Sequence, residues 1–255
     1  MTTRMSKKVK VNILRQDSPD SASYWQSFEI PVEDGMNVTT ILLRISAAPT
    51  TSEGEKVAPV AYDACCLEEV CGACSMRING RVRQACSALV ENLLQEEPEI
   101  TLEPMTKFPR VRDLLVDRRR LFAGLKRVKA WAPVDGYTPR GEPDRMSPAD
   151  QEDAYPLSRC MSCGCCMEAC PQFNDRDDFI GPHAISQAIL FNTLPAGKPL
   201  ADERLDALTA SGGIAACGNA QNCVKVCPKE IPLTVSIAKA GRATTVHAIK
   251  RFLTS

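Results

Sequence analysis

Short runs near the start of the chain alternate between apolar and polar residues. Because successive side chains of a strand point to opposite faces, this alternation predicts half-buried β-strands. Asn37 then precedes apolar residues at helical spacing and is suited to cap a short helix. The pair Asn79-Gly80 predicts a β-hairpin, and the alternation around residue 100 suits a closing strand. The apolar positions of the two clearest strand-like runs are Val9, Val11, Ile13, Phe28, Ile30 and Val32.

The middle segment, residues 111–154, has a different pattern. Apolar residues between 111 and 129 recur at helical spacing, and the same stretch is rich in Arg and Lys. We expect a helix with a solvated basic face; the alternative is a docking surface for an acidic partner or for anionic lipid headgroups. Four prolines between 132 and 150 predict a linker or an extended loop.

The remaining residues are predicted to be helical between cysteine-containing loops. A helix over 202–210 would end at Gly212-Gly213, and Pro232 stands where helices often begin. The predicted organisation is therefore an α+β domain over residues 1–110, a helix and Pro-rich connector over 111–154, and an all-α domain over 155–255.

Charge and composition narrow the possible functions. Lys and Arg total 31, as do Asp and Glu, and a neutral chain has no general field to attract nucleic acid. No apolar run approaches the ~18 residues of a membrane span, and the polar N-terminus lacks the apolar core of a signal peptide. The 13 cysteines are an odd number, which argues against a disulfide framework and for metal-binding thiols in a reducing compartment.

The first group of cysteines has the spacing of a plant-type [2Fe–2S] site. Cys66, Cys71 and Cys74 follow the pattern C-x4-C-x2-C, and Cys86 comes later in the chain. Four thiolates must converge on two irons, and a tight loop supplies three of them. Zinc is the alternative, but structural zinc sites usually take two separated pairs of ligands. Cys65 is adjacent to a predicted ligand and remains as a spare thiol.

Two later runs of cysteines follow one template, that of the bacterial two-cluster ferredoxins. In this template, C-x2-C-x2-C-x3-C-P, the fourth cysteine binds the other cluster. The complete run consists of Cys160, Cys163, Cys166 and Cys170. The second run consists of Cys217, Cys223 and Cys227. It is incomplete, because Ala220 stands where the template has its second cysteine.

This template predicts two unequal sites. A [4Fe–4S] cluster would be bound by Cys160, Cys163, Cys166 and Cys227. The other site would have only Cys170, Cys217 and Cys223. A cubane without its fourth thiolate readily loses that iron, so a [3Fe–4S] cluster is expected; a [4Fe–4S] cluster with an oxygen ligand is the alternative. Cys165 lies out of register and is predicted to be structural.

Nucleotide-binding glycine motifs are missing from the sequence. Neither G-x-G-x-x-G nor a P-loop occurs, so a flavin or nucleotide is expected on another subunit. Three clusters without such a motif indicate an electron-transfer chain rather than a complete enzyme. His183 and His247 match no ligand spacing and are predicted to be surface or packing residues.

The cysteine runs closely resemble those of the iron–sulfur subunits of succinate dehydrogenase and fumarate reductase. The resemblance rests on CCLEEVCGACSMRING, SRCMSCGCCMEACP and CGNAQNCVKVCPKEIP, continues through PMTKFPRVRDLLVDRRRLF and KAWAPVDGY, and covers nearly the whole chain. It implies a β-grasp, plant-type ferredoxin domain followed by a helical ferredoxin domain. It also implies that electrons pass from FAD on a flavoprotein subunit to a quinone in a membrane anchor; whether haem accompanies the partners is open.

Two departures from the ubiquinone-reactive members concern the quinone. Those members have a Trp shortly after the middle Cys-Pro and a His after the first cysteine of the last run, whereas this chain has no such Trp and has Gly218. The resemblance therefore favours menaquinone and a quinone pocket near Pro171, Gln172 and Gly218. Lys229 would add positive charge to the reduced [3Fe–4S] cluster or the quinone; a solvated surface lysine is the alternative.

The resemblance also implies a location and a metabolic role. The subunit is expected to be peripheral on the cytoplasmic side of a bacterial cytoplasmic membrane, in the tricarboxylic acid cycle and the respiratory chain. Succinate oxidation and fumarate reduction would use the same clusters, so the direction stays open. A diffusible multi-cluster ferredoxin and a zinc-stabilised scaffold are the other function classes; the neutral charge fits a ferredoxin poorly.

Overall fold

The computed structural model describes residues 8–133 and 145–254. Clustering of contacts divides the chain into two compact units between Arg118 and Arg119. The first unit contains β1 (Lys8–Arg15), β2 (Tyr24–Pro31), α1 (Val38–Ala47), β3 (Ser75–Ile78), β4 (Arg81–Gln84), α2 (Val90–Glu96), β5 (Ile100–Glu103), β6 (Arg110–Arg112) and β7 (Leu115–Val116). The second contains α3 (Arg119–Arg127), α4 (Pro148–Ser158), α5 (Cys165–Glu168), α6 (Pro182–Thr193), α7 (Ala201–Thr209), α8 (Asn222–Lys225) and α9 (Leu233–Thr254).

Within the described residues, the first unit is built on a five-stranded mixed sheet in the order β2-β1-β5-β3-β4. β1 pairs antiparallel with β2 and parallel with β5. The alternating apolar residues of β1 are buried, as the sequence predicts, and α1 contributes Ile41 and Leu42 to the same core. This mixed sheet with a covering helix agrees with an α+β class, and the β-grasp topology stays a prediction.

Local signals in the sequence correctly place two features of this unit. The side chain of Asn37 accepts a hydrogen bond from the Thr40 amide at 2.9 Å and caps α1, as predicted. Asn79 and Gly80 both have positive φ, 48° and 73°, and join β3 to β4. Helix α2 has no side-chain N-cap bond and was not predicted.

The predicted helix over 111–129 begins only at Arg119. The preceding residues form the small antiparallel pair β6–β7. Asp113 lies in the turn with a φ of 45°, and the next residue, Leu114, is buried in the core of the first unit. The helical spacing of the apolar residues is therefore misleading here, because the turn at Asp113 ends the pattern. Of the predicted Pro-rich connector, residues 134–144 lie outside the described residues, and α4 begins at Pro148.

The predicted solvated basic face agrees with the exposure of Arg119 and Lys126, but it is wrong for two other basic residues. Arg118 donates to the backbone carbonyls of Gly72 and Ala73 within the first unit. In the second unit, the guanidinium of Arg120 stacks on Phe173, 4.0 Å from the ring centroid. These two half-buried cations therefore hold backbone and aromatic partners of the same unit.

A buried ion pair holds the turn at Asp113. Arg15 and Asp113 have side chains 1% and 0% exposed, and two guanidinium nitrogens donate to the two carboxylate oxygens at 3.0 Å each. The backbone amides of Ala61 and Gln16 donate to the same carboxylate. Burial would raise the pKa of Asp113, but the bonds from Arg15 and from these amides outweigh it and lower the pKa.

A buried arginine has a similar role in the second unit. Arg204 is fully buried and donates to the carbonyls of Lys129, Gly197 and Trp131 at 2.9, 2.6 and 2.7 Å. It therefore ties the segment after α3 to the 3₁₀ turn at Pro195–Leu200. None of the helices within residues 8–133 and 145–254 combines the length and the apolar character that crossing a membrane requires.

We expect Asp113→Ala to destabilise the protein by about 3–5 kcal/mol, because it leaves the Arg15 guanidinium buried without its partner. Chemical denaturation of the two proteins measures the loss. Asp20→Ala, at an exposed position, is the matched control and is expected to stay within about 0.5 kcal/mol of wild type.

The same pair predicts the pH dependence of this loss. A lowered folded-state pKa stabilises the fold above the ordinary aspartate pKa of about 3.9, and the contribution disappears as pH falls through the folded-state pKa. The difference between wild type and Asp113→Ala should therefore shrink on acidification. An equal difference at neutral and strongly acidic pH would contradict this electrostatic account.

Candidate iron–sulfur sites

The first cysteine loop lies between α1 and β3 and turns repeatedly. Leu67, Glu69 and Gly72 have positive φ, 61°, 55° and 72°. These turns direct backbone N–H groups toward sulfur: the amides of Glu68 and Val70 donate to Cys66 Sγ at 3.3 and 3.4 Å. The Ala73 amide likewise donates to Cys71 Sγ at 3.4 Å. Amide donors around sulfur are what a metal-bound thiolate requires, because a thiolate is only an acceptor.

The thiols of this loop and Cys86, which follows β4, affect one another's pKa. The amide donors of Glu68 and Val70, which outweigh burial, together with Cys71 lower the pKa of Cys66 to about 6. Burial and then neighbouring Cys74 raise the pKa of Cys86 to about 12, and Cys66 contributes to the same increase. The structure therefore brings the four predicted thiols together. Cys65 is exposed.

Two residues that the motif does not single out hold this loop. Gln84 is buried, donates to Ser75 Oγ at 2.7 Å and accepts from the Cys74 thiol at 3.4 Å. Arg118, which is distant in the sequence, donates to the carbonyls of Gly72 and Ala73. The predicted turn at Asn79-Gly80 already places Gln84 opposite Ser75 across the hairpin. No local signal indicates Arg118, because it acts across a tertiary contact.

Cavity A, in the second unit, has a volume of about 370 Å³ including the part open to solvent. Cysteines of both later runs line it, namely Cys160, Cys163, Cys166 and Cys227. Burial raises the pKa of Cys166 well above its usual value, and repulsion from the other three thiolates adds to the rise. The amide of Ile231 donates to Cys227 Sγ at 3.4 Å.

Cavity B, in the same unit, has a volume of about 310 Å³ on the same measure. Its lining includes three cysteines, Cys170, Cys217 and Cys223, together with Ala220. Burial raises the pKa of Cys223, against the opposing amide of Val224, and Cys170 and Cys217 contribute to the increase. Each cavity therefore receives its last thiol from the other cysteine run.

The two runs have the same backbone conformation. Ser162 and Asn219, each two residues after the first cysteine of its run, both have a φ of 52°. Gly164 and Gln221, two residues further on, are again left-handed, with φ of 86° and 61°. Directly after these residues begin the equivalent helices α5 and α8.

This correspondence fixes the register of the incomplete run. Cys163 lies between the two left-handed residues of its run and lines cavity A. Ala220 lies between the two left-handed residues of the other run and lines cavity B. The structure therefore places a methyl group in cavity B where cavity A has a thiol.

The predicted quinone neighbourhood is divided between the cavities. Pro171 and Gln172 line cavity B, and Gly218 lies directly against the Gln172 side chain. Lys229 lines cavity A instead, so its grouping with the other three is corrected. The cause is the exchange of cysteines between runs, which carries the residues after Cys227 to cavity A.

Three further residues have clear positions. Cys165 is fully buried. His183 is also buried, with Nε2 3.2 Å from the Leu121 carbonyl, and burial lowers its pKa to about 4 despite this bond. His247 Nε2 lies 2.8 Å from Asp206 Oδ1. Both histidines are packed within the second unit.

The donor set of these sites fits iron–sulfur clusters. Thiols from both later runs line each cavity, and amide N–H groups are directed at sulfur. Within residues 8–133 and 145–254, no three Cys, His, Asp or Glu side chains are arranged to hold a single metal ion.

Comparison with known proteins identifies the family. Residues 10–123 match the model of a 2Fe-2S iron-sulfur cluster binding domain, and residues 156–231 that of a 4Fe-4S dicluster domain. The succinate dehydrogenase iron-sulfur subunit of Bacillus subtilis is 51% identical over 249 residues, covering 98% of this chain and 97% of that protein. The chain belongs to the family of iron–sulfur subunits of succinate dehydrogenase and fumarate reductase.

A more distant relative and a solved structure are also similar to this chain. The fumarate reductase iron-sulfur subunit of Wolinella succinogenes is 28% identical over 245 residues, covering 93% of this chain and 98% of that protein. A solved structure, the Sdh1 complex of Mycobacterium smegmatis in the apo form, has the same fold in one chain, with a TM-score of 0.76 and 23% identity, covering 94% and 96% of the two chains. As predicted, this iron–sulfur subunit is an electron-transfer protein with 2Fe-2S and 4Fe-4S domains.

The left-handed conformation of Gln221 predicts a stability effect. Gln221→Gly should stabilise the protein by about 0.5–1 kcal/mol. Glycine removes the strain of a left-handed residue, roughly 1–2 kcal/mol, but loses about 0.5–1 kcal/mol more backbone entropy on folding. Chemical denaturation measures it. The control Gln151→Gly, at an exposed position of α4, should instead lose about 1 kcal/mol. Equal losses in both variants would contradict backbone strain at Gln221.

Proposed function

We propose that this subunit carries electrons between a FAD-containing flavoprotein subunit and a quinone in a transmembrane anchor. The observation that carries the proposal is the inequality of cavities A and B, four thiols against three, within a chain of this family. The relatives named above are subunits of enzymes acting on succinate or fumarate, and the same chain would serve either direction.

Each of the three sites, the first cysteine group and cavities A and B, is proposed to hold one kind of cluster. The [2Fe–2S] ligands would be Cys66, Cys71, Cys74 and Cys86. The [4Fe–4S] ligands, in cavity A, would be Cys160, Cys163, Cys166 and Cys227. The [3Fe–4S] ligands, in cavity B, would be Cys170, Cys217 and Cys223. When bound, the clusters supply one-electron carriers whose potentials differ with cluster type.

Residues of the chain assist these ligands in distinct ways. The amides of Glu68 and Val70 stabilise negative charge on Cys66, and the Ile231 amide does so on Cys227. Lys229 lines cavity A and would add a positive charge beside its four thiolates. Cavity A would therefore tolerate an additional electron more readily than the thiols alone would allow.

The quinone is proposed to approach cavity B near Pro171, Gln172 and Gly218, with menaquinone favoured. Support comes from the lining of cavity B and from the lack of a Trp in the segment after Pro171. The subunit would then lie peripherally on the cytoplasmic side of a bacterial cytoplasmic membrane. Nucleic acid is not a proposed partner.

The experiment that tests the proposal is EPR of the purified complex, first air-oxidised and then reduced with dithionite. We expect a near-isotropic [3Fe–4S] signal in the oxidised state, replaced on reduction by [2Fe–2S] and [4Fe–4S] signals. Oxidised protein with a full iron content and no EPR signal would overturn the assignment of cavity B.

Ala220→Cys supplies the thiol that cavity B lacks. The variant is expected to hold a [4Fe–4S] cluster there, so that the near-isotropic signal disappears and the potential of the site falls. Ala216→Cys, outside the lining of cavity B, is the matched control and should keep the wild-type signal. An unchanged [3Fe–4S] signal in Ala220→Cys would show that the register is wrong.

Cys227→Ser tests the exchange of ligands between the runs. We expect it to disturb the [4Fe–4S] signal and to leave the [3Fe–4S] signal, because Cys227 lines cavity A although its sequence neighbour Cys223 lines cavity B. Cys65→Ser, at an exposed thiol, should change neither signal. Selective loss of the [3Fe–4S] signal would refute the exchange.

A further inference from the structure

Beside cavity B, the side-chain amide of Gln172 fills the space that a side chain at position 218 would need. A Cβ on Gly218 would lie 2.4 Å from Nε2 and 2.9 Å from Cδ of Gln172. The backbone of Gly218 is outside the left-handed region, so its conformation does not require glycine. A side chain at this position would therefore displace the Gln172 amide.

The equivalent positions around cavity A show that the repeat itself does not need a glycine here. Met161 follows Cys160 as Gly218 follows Cys217, and Lys229 follows Cys227-Pro228 as Gln172 follows Cys170-Pro171. Both Met161 and Lys229 line cavity A. The pairing of a glycine with a neutral amide is thus specific to cavity B.

The Gln172 amide is also within reach of a cysteine that lines the same cavity. The Cys170 thiol donates to Oε1 of Gln172 at 3.8 Å between S and O. An iron-bound Cys170 would be a thiolate, which accepts hydrogen bonds and donates none. A half-turn of the amide then brings Nε2 to the sulfur, and the space at Gly218 accommodates either end of the amide.

A hydrogen bond to a cluster sulfur favours the reduced state, because reduction adds negative charge that the N–H dipole stabilises. We propose that Gln172 raises the reduction potential of the cluster in cavity B by donating its amide N–H to Cys170 Sγ, and that Gly218 provides the room for this amide. The inference rests on the proposed [3Fe–4S] assignment of cavity B.

The test is an EPR-monitored redox titration of the intact complex. Gln172→Leu keeps the volume of the side chain and removes the amide. We expect the ratio of reduced to oxidised [3Fe–4S] cluster at a fixed potential to fall about tenfold, which is about 59 mV for one electron. The [4Fe–4S] cluster of the same molecules serves as the internal reference and should keep its potential.

Two further variants separate the roles of the residues. Gly218→Ala pushes the flexible amide aside and should lower the same potential, and adding Gln172→Leu to it should lower the potential no further. Gln187→Leu makes the same chemical change on α6, where Gln187 bonds the Leu157 carbonyl, and should leave both potentials unchanged.

The possible outcomes are distinct. A wild-type [3Fe–4S] potential in Gln172→Leu, with full signal intensity, overturns the proposal. Should Gln172→Leu lose its cluster, Gln172→Met keeps the test, because its side chain is neutral, similar in size and has no N–H to donate, so it must also lower the potential if the proposal holds. A complex without any near-isotropic signal before mutation would instead overturn the cluster assignment itself.

Discussion

Several thiols from a short stretch of chain reach one cavity only if the backbone reverses direction between them, and this constraint shapes the molecule. Among the described residues, five left-handed non-glycine residues accordingly lie between cysteines of these runs, namely Leu67, Glu69, Ser162, Asn219 and Gln221. Each costs roughly 1–2 kcal/mol. The same turns direct amide N–H groups at sulfur, so the strained geometry also creates the electrostatic environment that a thiolate needs.

Strained loops persist only where the surrounding structure holds them. In the first unit, Arg15 binds the carbonyls of Ala58 and Pro59 besides Asp113, and so fixes the segment that leads into the cysteine loop. In the second unit, the three guanidinium nitrogens of Arg204 donate to the carbonyls of Lys129, Gly197 and Trp131. A fork of fixed donors can hold several irregular backbone segments at once, which no apolar side chain can do.

Sequence and structure agree wherever the deciding interaction is local. The cap at Asn37 and the turn at Asn79-Gly80 depend on neighbouring residues, and the cysteine spacings specify which thiols are close because the ligand loops are short. The helix expected from residue 111 fails because the turn at Asp113 depends on Arg15, far away in the sequence. The expected position of Lys229 beside Cys170, Cys217 and Cys223 fails for a similar reason, because the exchange of cysteines carries its segment to cavity A.

The contact between Gln172 and Gly218 shows the limit of motif reading. Neither residue belongs to the cysteine pattern. Because Gly218 lies outside the left-handed region, its backbone conformation does not explain the glycine either. Only the positions of the two segments in space show that one side chain occupies the room left by the other.

The exchange of cysteines between the two runs also has a consequence for biosynthesis. Cavity A takes three of its thiols from the earlier run and the fourth from Cys227, the last cysteine to be translated. Cavity B in turn needs Cys170 from the earlier run. A ribosome-bound chain therefore exposes an open set of thiols until the later run has emerged and folded, and both cavities close in the same late step.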